Sequence, residues 1–250
     1  SSAALAALRH WLSSHLLNNE LIRRVARNSA YLFSSSGAAA GLSMLQGILA
    51  ARLLGVAGFG MLGTITLFTS VINKFASFRM NELVVKYVGR YSETGDPQRA
   101  AAVFKAASLV EIITSIFAYG IFFLLAPLGA RYFAKDAGAT DWFVLYGLVI
   151  LANLMAESST GLLQIFDRFR PIAILGLAGN IVTLALVGLV YWLRGGLAGI
   201  LLAYLIGKTI SALGLSLVAL LESSRRWGRD WWRASLQPLK PRFRQLTHFA

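Results

Sequence analysis

From Asn28 to Ala51 the chain carries no charged residue, and after Glu20 no acidic residue occurs before Glu82. Two apolar runs, 28–50 and 61–78, flank a short glycine-rich stretch, Arg52-Leu-Leu-Gly-Val-Ala-Gly-Phe-Gly60. A bilayer's hydrocarbon core of about 30 Å takes about 20 helical residues at 1.5 Å each. Each run is of that order. The connection is too short to be a domain. The stretch therefore predicts a helical hairpin through a membrane, with residues 52–60 as its hinge. Its orientation decides the side of everything that follows.

The rest of the chain repeats the pattern. Hydrophobic residues make up 56% of the sequence and charged residues 14%, well below the roughly 25% charged residues of a soluble domain. The apolar residues come in long blocks, which predicts an all-α polytopic membrane protein. Further spans are expected at about 102–125, ending near Pro127, then at 142–166, 171–193 and 197–221, six in all. Before them, residues 1–27 read as an amphipathic arm on the cytoplasmic membrane surface. Leu5, Leu8, Leu12 and Leu16 recur at helical spacing, with Arg9, Arg23, Arg24 and Arg27 near the headgroups. Residues 28–222 form the transmembrane unit, and 223–250 a basic, Trp-rich cytoplasmic connection leading into a further, truncated span. The chain starts at Ser1 and stops inside an unfinished pattern, so it reads as a piece of a longer protein. Ser1–Glu20 lacks the ordered parts of a signal peptide.

Cysteine is absent, which excludes disulfides and thiolate metal sites. The histidines, His10, His15 and His248, lie near the ends and suggest no zinc site. The net charge of +13 would point to nucleic acid in a soluble protein, but here the cations sit between apolar runs. Nineteen of the 24 Lys and Arg residues fall in the N-terminal arm, the second-to-third connection, the fourth-to-fifth connection and the tail. Positive-inside then places both ends in the cytoplasm, and Tyr132, Trp142, Tyr191 and Trp192 form an outer aromatic belt. Topology explains most of the charge, and nucleic acid is not an expected partner.

Within the spans, local chemistry gives finer expectations. Gly95-Asp-Pro-Gln-Arg99 restarts a helix with Asp96 as N-cap and Pro97 at the first position. Ser29, Ser36 and Ser43, with Gly37-Ala-Ala-Ala-Gly41, make a small-residue face for close helix packing inside the bundle. Gln46 is the one larger polar group in the first run. Asn153, Glu157, Thr160 and Gln164 fall on one helical face, and Asn180, Thr183, Tyr204, Lys208 and Ser211 add polar groups on later spans. Glu111, Glu157 and Lys208 are ionisable residues at membrane depth and should face the bundle interior or water. Two readings stay open: a salt bridge that locks the bundle, or a polar cavity with an ion-linked carboxylate. No catalytic constellation or nucleotide loop appears, so an enzyme is not expected.

Three stretches resemble a known family. Ala51-Arg-Leu-Leu-Gly-Val-Ala-Gly-Phe-Gly60 is similar to the Leu-Gly-Pro-x-x-Phe/Tyr-Gly motif of bacterial polysaccharide flippases, departing from it at Val56 and Gly58. Phe78-Arg-Met-Asn-Glu-Leu-Val-Val-Lys-Tyr-Val resembles the charged segment after their second span, and Gly95-Asp-Pro-Gln-Arg-Ala their restart of the third. The resemblance implies the two-lobe architecture of the multidrug/oligosaccharidyl-lipid/polysaccharide exporters, with this chain as the first six-helix lobe. It implies flipping of a lipid-linked oligosaccharide of the undecaprenyl diphosphate type across the bacterial inner membrane. Its partners would be that lipid, the surrounding membrane lipids and other glycan-assembly proteins. It implies no cofactor beyond coupling to a proton or sodium gradient. Substrate-binding candidates are Lys74, Arg79, Lys208, Gln46 and Asn153, and ion-coupling candidates are Glu111 and Glu157. Rival readings are a multidrug-type cation antiporter of the same fold and a membrane-embedded glycan-assembly enzyme or scaffold.

Overall fold

The computed structural model describes residues 20–76 and 79–234, with side chains for nearly all of them from Ala30 onward. The expected surface arm up to residue 19 and the tail beyond Ala234 lie outside the described residues. Within them the chain is all-helical: α1 (Glu20–Ala76), α2 (Met80–Glu93), α3 (Pro97–Leu128), α4 (Thr140–Ala152), α5 (Ala156–Ile165), α6 (Phe169–Trp192) and α7 (Leu197–Trp227). Short π and 3-10 turns add Gly129–Phe133, Ala137–Ala139 and Trp231–Arg233. Five helical stretches are long and apolar enough to cross a membrane: Phe33–Glu93, Pro97–Phe133, Ala137–Ile165, Phe169–Trp192 and Leu197–Trp227.

The first stretch holds the expected hairpin, but its hinge is smaller than residues 52–60. Residues 56–60 are helical, and the bend is Gly55 alone, at φ 67° and ψ −177°. That backbone region is open essentially only to glycine. On a straight helix Ser43 and Ser70 would stand about 40 Å apart. Here both line one cavity, so the two arms of α1 fold back beside each other at Gly55.

Cap chemistry places α3 where the sequence puts it. Asp96 accepts a hydrogen bond from the Arg99 N–H at 3.0 Å, and Pro97 stands in the first turn. The helix does not end before Pro127. It runs on to Leu128 and into the π turn, because a proline this close to a helix end disturbs only the last turn.

The expected fourth span is two helices. Asn153 ends α4, and Met155, at φ −138°, precedes α5. A continuous helix would give the Glu157 and Ser158 N–H groups to the carbonyls of residues 153 and 154. Instead both donate to Glu111 of α3, at 3.0 Å each. Asn153 therefore does not continue the polar face of Glu157, Thr160 and Gln164.

Two clusters make the interior. One packs Phe122, Phe143, Ile150 and Leu201 against both arms of α1, with Phe68 set 5.5 Å from Phe122 and edge-on to Phe143. The other joins α2, α3, α5 and α7 around Val84, Phe104, Leu162 and Phe166. Trp227 and Trp231 complete it, Trp227 meeting Phe166 edge-on at 5.7 Å and Trp231 meeting Phe104 at 5.4 Å. Beside it the buried Glu222 carboxylate pairs with Arg168 at 2.9 Å, tying the start of α6 to the end of α7. Outside, Leu109, Ile113, Ile116, Phe117 and Leu124 of α3 are exposed at helical spacing. An apolar outer face of that kind suits lipid rather than water.

Helix packing does not use the glycines of the expected small face. An added Cβ at Gly37 or Gly41 would meet nothing within 4 Å. The close approach is between α6 and α7, where a Cβ at Gly179 would lie 2.7 Å from the Gly207 carbonyl oxygen, and one at Gly207 equally close to that of Gly179. Small residues permit close helices, and here the permission is used on a different pair.

Candidate functional site

A cavity of about 480 Å³ opens among the spans. The first arm of α1 contributes Ser43 and Gln46, and the second arm Thr66, Leu67 and Ser70. Tyr146 comes from α4, Asn180 and Thr183 from α6, and Tyr204 and Lys208 from α7. The pairs Ser43–Gln46, Thr66–Ser70, Asn180–Thr183 and Tyr204–Lys208 each stand three or four residues apart, the spacing that puts side chains on one face.

Local bonds hold the wall in shape. Gln46 is buried and donates through Nε2 to the Asn180 carbonyl oxygen at 2.9 Å. Ser43 Oγ donates to Asn180 Oδ1 at 3.3 Å, and Asn180 Nδ2 donates to the Gly176 carbonyl at 2.9 Å. Thr183 Oγ1 donates to the Gly179 carbonyl at 2.8 Å. The Gln46 and Ser43 bonds clamp α1 onto α6, and the other two lie within α6. Lys208 is exposed and makes no ion pair among the described residues. It is the one charged group among the lining residues. The site thus offers hydroxyls, amides and two phenols for hydrogen bonding and stacking, and one ammonium for an anion.

Of the residues singled out in the sequence, Gln46 and Lys208 meet here. Lys74, exposed in the last turn of the second arm, does not line the cavity. Arg79 does not either. It sits before α2 at φ 55° and donates through Nε to Glu82 at 2.9 Å. Asn153 ends α4 at the break, away from the cavity lining. Glu111 is fully buried, with both oxygens taken by the start of α5, so the bundle-locking salt bridge to Lys208 is not formed. Glu157 is exposed on α5.

Sequence reasoning missed Tyr146, Thr66 and Ser70 as site residues and left Asn180, Thr183 and Tyr204 as general polar groups. The pairs Thr66–Ser70, Asn180–Thr183 and Tyr204–Lys208 each carry helical spacing that would have found them. Tyr146 stands alone in an apolar run and carries no such signal.

A larger cavity of about 700 Å³ lies at the junction of Asp96–Arg99 with Trp227–Ala234. Its two arginines are each neutralised by a nearby acid, Arg99 by Asp96 at 3.3 Å and Arg233 by Asp230 at 3.8 Å. It offers no uncompensated charge to an anion, and the membrane-depth cavity is the stronger site.

Comparison with known proteins bears on what such a cavity serves. The chain is 25% identical over 167 residues to the inner membrane protein YghQ of Escherichia coli (strain K12), a match covering 67% of this chain and 45% of YghQ. The match thus covers less than half of that relative's length. No solved structure matches the chain. A family model described as polysaccharide biosynthesis protein matches residues 25–249. With its apolar helices and its resemblance to the flippase motifs, this chain belongs to that polysaccharide biosynthesis protein family.

Proposed function

We propose that the chain is the first lobe of a two-lobe transporter that flips lipid-linked oligosaccharide across the bacterial cytoplasmic membrane by alternating access. The observation that carries this reading is the cavity: one uncompensated ammonium, Lys208, among neutral hydroxyls, amides and phenols at membrane depth. An undecaprenyl diphosphate headgroup presents an anion followed by sugar hydroxyls. The anion would seek Lys208. The hydroxyls and sugar faces would seek Gln46, Asn180, Tyr146 and Tyr204. Family membership supports transport in polysaccharide synthesis rather than enzymatic chemistry. The lining residues include no carboxylate, which weighs against a cation antiporter.

In this reading α1 crosses twice, with Gly55 as the outer turn. Residues 28–222 make six crossings, and the arm 1–27 and the connection 223–250 lie in the cytoplasm. A proton or sodium gradient supplies the energy, with the exposed Glu157 as the carboxylate open to it. The second lobe of the full-length protein closes the cavity.

Cells lacking the full-length protein test the function. Undecaprenyl-linked oligosaccharide should accumulate on the cytoplasmic face, with surface glycan lost. Normal glycan with altered drug sensitivity would move the assignment to the antiporter, and absence of the lipid-linked oligosaccharide would move it to an enzyme acting earlier. Topology has its own test, helped by the absence of cysteine from these 250 residues. A Lys135→Cys variant should react with an impermeant maleimide from outside intact cells. Labelling only from the cytoplasmic side would invert the topology.

A further inference from the structure

Helix α5 starts at Ala156, inside a span, and its own N-cap residue, Met155, makes no side-chain cap hydrogen bond. The first N–H groups of a helix need acceptors, and in a membrane water does not supply them. Here the acceptor comes from another helix. Glu111 Oε1 takes the Glu157 N–H and Oε2 the Ser158 N–H, across 46 and 47 residues of sequence. The carboxylate is fully buried and has no ion-pair partner among the described residues. Its charge is met by the positive end of α5.

The other side of α5 is pinned too. Gly161 lies against α2, where an added Cβ would come within 2.9 Å of the Asn81 carbonyl oxygen. So α5 is held by α2 and α7 and by the Glu111 cap on α3, while α4, beyond the break, packs on α3 and α7 and carries Tyr146 into the cavity wall. The two helices are joined through residues 153–155, where the Leu154 N–H closes a tighter turn onto the Leu151 carbonyl at 3.4 Å. Broken helices recur in transporters close to the sites that bind cargo or coupling ions.

We propose that Glu111 is a positioning residue for transport, a cap supplied in trans that fixes the start of α5 on α3 and so holds the joint from which α4 presents Tyr146 to the cavity. This rests on the transporter reading for its link to cargo, but the joint itself can be read without cargo.

A single cysteine at Leu154 in the full-length, otherwise cysteine-free protein reports the joint through its rate of reaction with N-ethylmaleimide. Glu111→Ala should raise that rate on the order of tenfold, the size of one lost helix cap, and lower glycan export at equal protein level. Adding Met155→Asp, which offers a carboxylate from α5's own N-cap position, should return both labelling and export toward the native values. Glu111→Asp, which keeps the charge one methylene shorter, should restore export in part. If Glu111→Ala leaves labelling unchanged, or Met155→Asp restores neither readout, the proposal fails. If Glu111→Ala does not accumulate, Glu111→Gln, which sets an NH2 donor against one of the two N–H groups, should raise the labelling rate in the same assay, and native labelling in that variant overturns the proposal. Labelling that responds as expected in a protein that exports no glycan would overturn the flippase reading and leave the joint standing.

Discussion

Replacing Gly207 with valine should remove most of the folded protein from the membrane, while the same change at Gly41 should leave its level unaltered. The difference is geometric. A Cβ on Gly207 would lie 2.7 Å from the Gly179 carbonyl oxygen and against Thr183 Oγ1. The carbonyl is backbone and cannot rotate away. Thr183 is held by its own bond to that same carbonyl at 2.8 Å. The helices must therefore separate, and the α6–α7 contact is the most extensive in the bundle. Overpacking of this kind costs about 1–3 kcal/mol or more, which for a protein of this size lowers the melting temperature by roughly 3–10 °C. In lipid, where close packing takes the place of a hydrophobic drive between helices, the loss falls on the contact that orders the site. The same helices carry Asn180, Thr183, Tyr204 and Lys208. Gly41 has nothing within 4 Å of an added Cβ. Detergent-purified protein followed by thermal unfolding and size exclusion decides the matter. Equal melting temperatures for Gly207→Val and the native protein would show that α6 and α7 do not depend on this approach.

What the sequence reveals follows from how local each cause is. Asp96 and Pro97 fix the start of α3 by bonds within one turn, and both were legible. The spans were legible because length and the absence of charge are properties of the run itself. The bend at Gly55 was legible only as a zone, since Gly55, Gly58 and Gly60 look alike and only the first takes a positive φ. The break in the fourth span was not legible, because its acceptor, Glu111, lies on a different helix. The small face at Gly37 and Gly41 misled for a related reason: small residues permit approach but do not name the neighbour. Lys208 and Gln46 stood out as polar groups in apolar runs, and the structure brings them to one cavity. Lys74 and Arg79 looked equivalent to Lys208 by charge, yet the one is exposed at the end of α1 and the other is engaged with Glu82. Charge alone does not separate a cation that serves topology from one that faces a cavity. Depth does, and Lys208 lies near the middle of its predicted span, 197–221, whereas Lys74 lies near the end of its run.

Lys208 therefore carries the second large prediction. Its ammonium is the single charge among neutral lining groups, and no carboxylate among the described residues pairs with it. A phosphate entering the cavity would gain a charge-assisted hydrogen bond worth about 1.5–3 kcal/mol, or roughly ten- to hundredfold in binding. Lys208→Met keeps the length and apolar stem of the side chain and removes the charge. Export of lipid-linked oligosaccharide by the full-length protein should fall by about that factor at equal membrane level. Lys208→Glu should fall further, because a like charge then meets the anion. Lys208→Arg should retain most of the export. The bland alternative is that the lysine stem packs against the helices while its head reaches polar lipid. On that account Lys208→Met transports like the native protein. Comparing the methionine and arginine variants in one export assay separates the two, since both preserve the stem and only one preserves the charge.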